Sequence, residues 1–136
     1  MPRILAVAHQ TADAPEFVAA VKAAAERAPG TEFVLLVPAT PIKHLTSWTD
    51  GESRAVARQR ADTARARLES VGVAVSGTVI GDPDPYQAVT DALSSDEYSA
   101  IIVSTYPPGM SRWLGVDLIE RLRRSIDLPV THVVAR

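Results

Sequence analysis

Two loops of this sequence collect residue types that can hold an anion. The first reads His9-Gln10-Thr11-Ala12-Asp13-Ala14-Pro15 and follows the apolar run 4–8. The second follows the apolar run 101–103. It reads Ser104-Thr105-Tyr106-Pro107-Pro108-Gly109-Met110-Ser111-Arg112-Trp113-Leu114-Gly115. That loop combines two hydroxyls at a strand end, a rigid Pro-Pro segment, a glycine, and then Ser111-Arg112 ahead of a helix. Hydroxyls, backbone amides and a guanidinium in such a place can hold a phosphate or a carboxylate. The same residues also have a plain structural reading. Pro107-Pro108-Gly109 then shapes a turn, Trp113 and Leu114 plug the core, and Arg112 is a solvated charge. His9 stands at a strand end as a candidate ligand contact, while a general-base role lacks an identifiable partner. In Gly81-Asp82-Pro83-Asp84-Pro85, either aspartate can cap the helix that follows, with a proline at its first position.

Several chemistries lack their residues. There is no cysteine, hence no thiolate nucleophile, disulfide framework or Cys-based zinc site. The three histidines, at 9, 44 and 132, do not form a metal-ligand spacing. Neither phosphate-loop pattern, G-x-x-x-x-G-K-[ST] or G-x-G-x-x-G, occurs, nor does the nucleophile elbow G-x-S-x-G. A formal net charge of −2 does not provide the basic face of a nucleic-acid binder, although arginines outnumber lysines twelve to two. Met1-Pro2-Arg3 precedes an apolar run too short for a signal segment. No stretch reaches the ~20 apolar residues that cross a bilayer. A cytoplasmic protein with no membrane partner is the expectation.

The elements that position these loops follow from hydrophobic spacing. Apolar runs fall at 4–8, 33–37, 73–80, 101–103 and 130–134. Between them lie four stripes at helical spacing. The first carries Phe17, Val18, Val21, Ala24, Ala25 and Ala28, closed by Pro29-Gly30. The second carries Ala57, Ala61, Ala64, Leu68 and Val71, closed by Gly72. The third carries Tyr86, Val89 and Leu93, and the fourth Leu118, Ile119, Leu122 and Ile126, with Asp117…Glu120 spaced as a capping box. Alternating strands and helices imply right-handed βαβ units and a parallel sheet covered on both faces. The runs 4–8, 33–37 and 101–103 are continuously apolar, as doubly buried strands must be, whereas 73–80 and 130–134 carry polar interruptions and read as edges. The predicted fold is one α/β domain spanning 1–136, a three-layer Rossmann-like open sheet of five parallel strands in the order 3-2-1-4-5. Ligands of such sheets bind where connections diverge, here between the first and fourth strands. Residues 38–50 form a loop longer than ordinary strand–helix connections, so a covering or functional role is expected.

Length and element order resemble the universal stress protein family. "GDPDPYQAVTDAL" is similar to that family's Gly-x-Pro segment and the apolar–Ala helix after it. The closing "LPVTHVV" resembles its Cys-Pro-Val-x-x-Val last strand, with Leu128 in the cysteine position. The resemblance implies a Rossmann-like fold, homodimers paired through the last strand (here Val130, His132 and Val134), and a nucleotide ligand, ATP or AMP. The family's phosphate loop reads Gly, two residues, Gly, nine residues, Gly-Ser/Thr. Here Ser104 and Thr105 replace the first glycine, the span from Gly109 to Gly115 is shorter, and Val116 replaces the hydroxyl residue. His9 and Gln10 stand in place of the family's aspartate after the first strand. A Pro-Pro turn also lacks successive amides for phosphates, since proline has no N–H.

Carried over by position, the candidate ligand residues are His9 and Gln10, Val37 at the end of the second strand, Gly81, Ser104, Thr105, Gly109 and Gly115. Ser111 and Arg112 are this chain's own additions. No catalytic and no metal residue is assigned. The expected function is a universal-stress-type, non-enzymatic protein holding a nucleotide or other small anion. An interaction module without a ligand and a small hydrolase of nucleotide-like compounds are the alternatives.

Overall fold

A computed structural model describes residues 2–40, 50–106 and 116–135. The elements run β1 (Arg3–Val7), α1 (Pro15–Arg27), β2 (Glu32–Pro38), α2 (Asp50–Ser70), β3 (Val75–Gly81), α3 (Pro85–Ser95), β4 (Ala100–Thr105), α4 (Val116–Ser125) and β5 (Val130–Val134). The strands form one five-stranded sheet in the order β3-β2-β1-β4-β5, and all four neighbouring pairs are parallel. That is the predicted order, with the two polar-interrupted strands at the edges.

Side-chain alternation divides the core into two layers. Ala6, Phe33, Leu35 and Ile102 face α1 and α2, packing against Phe17, Val21, Ala61 and Leu68. Leu5, Val7, Leu36, Ile101 and Val103 face the other way, onto Ala88, Val89 and Leu122 of α3 and α4. Doubly covered central strands therefore need apolar residues at successive positions.

The ends of α2 and α3 follow their sequence signals, whereas α4 begins at Val116, one residue before the Asp117 of the expected capping box. Asp84 accepts from the Tyr86 backbone N–H at 3.0 Å, with Pro85 at the first turn, and Asp82 accepts from the Asp84 N–H at 2.9 Å. Helix α2 stops on Gly72 at φ 88°, where Val73 N–H bonds back to the Leu68 carbonyl. Left-handed glycine and this long return bond are a Schellman ending. This closure explains two departures from expectation. It uses the Val73 N–H, so the regular strand β3 begins only at Val75, and it leaves Val71 outside the helix and 36% exposed. No helix among the described residues is long and apolar enough to cross a membrane.

Candidate functional site

Strands β1 and β4 lie side by side at the centre of the sheet, and their outgoing connections diverge to opposite sides. Their carboxyl ends are therefore the expected ligand crevice. At the end of β1 the chain stays in the sheet for one more residue, Ala8 N–H bonding to the Leu36 carbonyl at 3.2 Å. It then folds inward through two tight turns, Ala12 N–H to His9 carbonyl and Ala14 N–H to Thr11 carbonyl. As a result His9 and Thr11 are each only 2% exposed, while Gln10 between them is half-buried.

The two strand-end hydroxyls are occupied from within. Ser104 is fully buried, and its Oγ lies 2.7 Å from Thr11 Oγ1, so a hydrogen bond stitches the loop after β1 to the end of β4. Thr105 is 1% exposed, with its Oγ1 at 2.7 Å from His132 Nε2 on β5. His9, Ser104 and Thr105 thus sit in the floor of the crevice rather than on its surface. Burial first, and then the Arg60 guanidinium, lower the His9 pKa to about 4, so the ring is neutral at physiological pH. His132 is shifted the same way, by burial and then by Arg123.

The remaining expected residues divide into two groups. Val37 is fully buried and pairs with Ile80, and Gly81 ends β3 against the Ala88 methyl and Leu36. Gly109, Ser111, Arg112 and Gly115 lie outside the described residues, as do His44, Trp113 and residues 41–49 of the long loop. Among the described residues no group of three or more His, Asp or Glu could hold a metal ion.

Sequence reasoning passed over Thr11 and Arg60. Thr11 is in the loop that drew attention, but its partner is 93 residues away. Arg60 lies on α2 beside the buried alanine stripe and reaches the neighbourhood of His9. A charge at the border of an apolar stripe was the available signal.

The Thr11–Ser104 bond carries a stability prediction. Thr11→Val should cost about 1–3 kcal/mol, because it leaves a buried hydroxyl without its partner. Thr11→Val with Ser104→Ala should cost less than the sum of the single changes, by about 0.5 kcal/mol or more. Urea denaturation of the four proteins reads this directly, and strict additivity would mean the two hydroxyls do not interact in solution.

No protein-family profile matches the chain, and no curated protein matches it. Solved structures do share its fold. A universal stress protein from Archaeoglobus fulgidus aligns with TM-score 0.67 at 12% identity, over 98% of this chain and 93% of that one. The universal stress protein from the same organism in complex with dAMP aligns with TM-score 0.65 at 16% identity, over 98% and 97%. A universal stress protein family protein from Arabidopsis thaliana with AMP bound gives 0.63 at 12% identity, over 100% and 93%. The fold of this chain is that of the universal stress proteins.

Proposed function

We propose that this chain is a universal-stress-type protein of the cytoplasm, a non-enzymatic homodimer that binds a nucleotide or another small anion at the ends of β1 and β4. The observation that carries this reading is the end-to-end likeness to proteins solved with dAMP and with AMP. In this chain the connections of β1 and β4 diverge, the place where open α/β sheets bind ligands. Gln10, the backbone at Val37 and Gly81, and the residues Gly109, Ser111, Arg112 and Gly115 supply the contacts. Binding is favoured over turnover because Ser104 and Thr105, the hydroxyls a hydrolase would use, are buried and bonded to Thr11 and His132. The same burial favours, as a second reading, an interaction module that works without a ligand.

A thermal-shift titration with AMP, dAMP, ATP and cyclic AMP decides between them. At a hundredfold excess over Kd a ligand stabilises by about 2.7 kcal/mol, which raises Tm by roughly 10 °C in a domain of this size. Arg112→Ala should reduce that shift. No shift with any nucleotide would remove the ligand half and leave the interaction module.

The dimer half has its own test. Pro129 carbonyl and Ala135 N–H bond to β4, so by alternation the backbone groups of Val130, His132 and Val134 face away from the sheet. Arg123 already takes the Val130 carbonyl at 3.0 Å. A proline is tolerated where the N–H faces solvent, but it cannot pair with a second strand. Val134→Pro should therefore convert dimer to monomer in sedimentation velocity with the far-UV CD spectrum retained. A wild-type monomer at micromolar concentration would dismiss the last-strand dimer.

A further inference from the structure

A second cavity, of about 260 Å³, lies outside the β1/β4 crevice, between the loop after β1 and helix α2. Ala12 and Asp13 form one wall, and Val56, Gln59, Arg60 and Thr63 the other. Water occupies about 30 Å³ per molecule in the liquid, so the space admits a phosphate group with part of its carrier.

Arg60 is the unusual member of this lining. Its Nε is buried and has no hydrogen-bond partner. A buried donor on a cation that finds no acceptor is costly, and the planar guanidinium fork suits a phosphate or carboxylate oxygen as that acceptor. The rest of the wall suits the same guest. Gln59 offers an amide N–H and Thr63 a hydroxyl one turn further on. Arg67, outside the lining and two turns beyond Arg60, donates to the Asp13 carbonyl at 2.5 Å and so ties the loop wall to α2. The Asp13 carboxylate opposes an anion, but that residue is solvent-exposed, so its charge is screened more than a buried one.

We propose that this cavity is a phosphate site in which Arg60 is the anchoring cation, with Gln59 and Thr63 as supporting donors. Its ligand is a free phosphate ion or the phosphate of a small monoester such as a mononucleotide. The site does not depend on the β1/β4 reading, since it uses none of the same side chains.

His9 provides a reporter that does not require the ligand to be identified. Arg60 helps hold the His9 ring neutral. An anion on Arg60 cancels part of that field, so binding must raise the His9 pKa.

The test titrates the wild-type protein and the Arg60→Gln and Arg60→Lys variants with sodium phosphate, AMP and adenosine at matched ionic strength. It follows Tm and the His9 ring signals by NMR. Phosphate or AMP should raise both Tm and the His9 pKa in the wild type. Arg60→Gln should weaken binding roughly ten- to a hundredfold, as expected for a lost hydrogen bond to a charged group. Its His9 pKa should start higher and stop responding, with Arg60→Lys intermediate. Phosphate and AMP acting alike, with adenosine silent, identify the phosphate group itself. AMP acting alone identifies a nucleotide carrier. If neither phosphate nor AMP moves the wild-type His9 pKa, the site does not exist. If AMP binds wild type and Arg60→Gln equally, the proposal fails while nucleotide binding at the β1/β4 crevice survives.

Discussion

Acidification from pH 7 to pH 4 is expected to remove up to about 3 kcal/mol of folding stability through His9 alone, because each unit of pKa displacement is worth about 1.4 kcal/mol. The ring is buried at the end of β1, and its folded pKa is lowered from 6.5 to about 4. The sign follows from proton counting. Between these two values the unfolded chain binds a proton at His9 that the folded chain refuses. Stability is therefore fully present above pH 6.5, falls as pH drops through that value, and stops falling through this group near pH 4. His132 is displaced in the same direction, so it adds to the same slope from a less buried position.

Carboxylates also titrate in this range, so a single denaturation curve would not isolate His9. The useful quantity is the difference in slope between wild type and His9→Gln across pH 7 to 4.5, measured by urea unfolding. His9→Gln should be the flatter of the two, whatever its absolute stability. Arg60→Gln should narrow the window from its lower end, since the folded pKa moves back toward 6.5 when the cation is gone. Identical slopes in wild type and His9→Gln would mean that the ring is solvated and that the loop after β1 stands open. The ligand reading would gain from that outcome, because an open His9 could touch a nucleotide.

The fold was legible because it depends on patterns that are local. Five apolar runs, four helical stripes and the polar interruptions at Ser76, Gly77, Thr131 and His132 suffice to order the sheet, since an edge strand tolerates polar residues that a central one does not. The capping roles of Asp82 and Asp84 were equally local, each spanning two residues. The site was less legible. Ser104 and Thr105 look like ligand groups in sequence because hydroxyls at a strand end of an open sheet often are. Their actual partners, Thr11 and His132, lie 93 and 27 residues away, and no spacing rule joins them. Arg60 met the loop after β1 only once α2 had packed across the sheet. One boundary differs for a local reason. Val71 fits the stripe of α2, but the left-handed turn at Gly72 removes it from the helix.

Gly81 shows the same difficulty and yields the second large effect. By position it is a candidate ligand contact, and the fold gives it a steric duty as well. A Cβ placed there would lie 2.7 Å from the Ala88 Cβ and 2.9 Å from Leu36 Cδ1. Leu36 can turn its side chain aside, but the Ala88 methyl is fixed to α3. That helix is held by the Asp84 cap and by Val89 and Ala92 in the core, so it cannot retreat freely. Gly81→Ala should therefore cost about 1–3 kcal/mol as an overpacking change, with α3 displaced outward. Ala88→Gly removes the opposing methyl at a cost of about 1 kcal/mol for glycine inside a helix. The double variant should accordingly be more stable than the sum of the two losses predicts, by about 0.5 kcal/mol or more. Additive losses would place the clash elsewhere. A Gly81→Ala protein that keeps wild-type stability but loses its nucleotide thermal shift would give this residue to the ligand alone, because packing would then have given way without cost and only the approach of a bound molecule could explain the glycine.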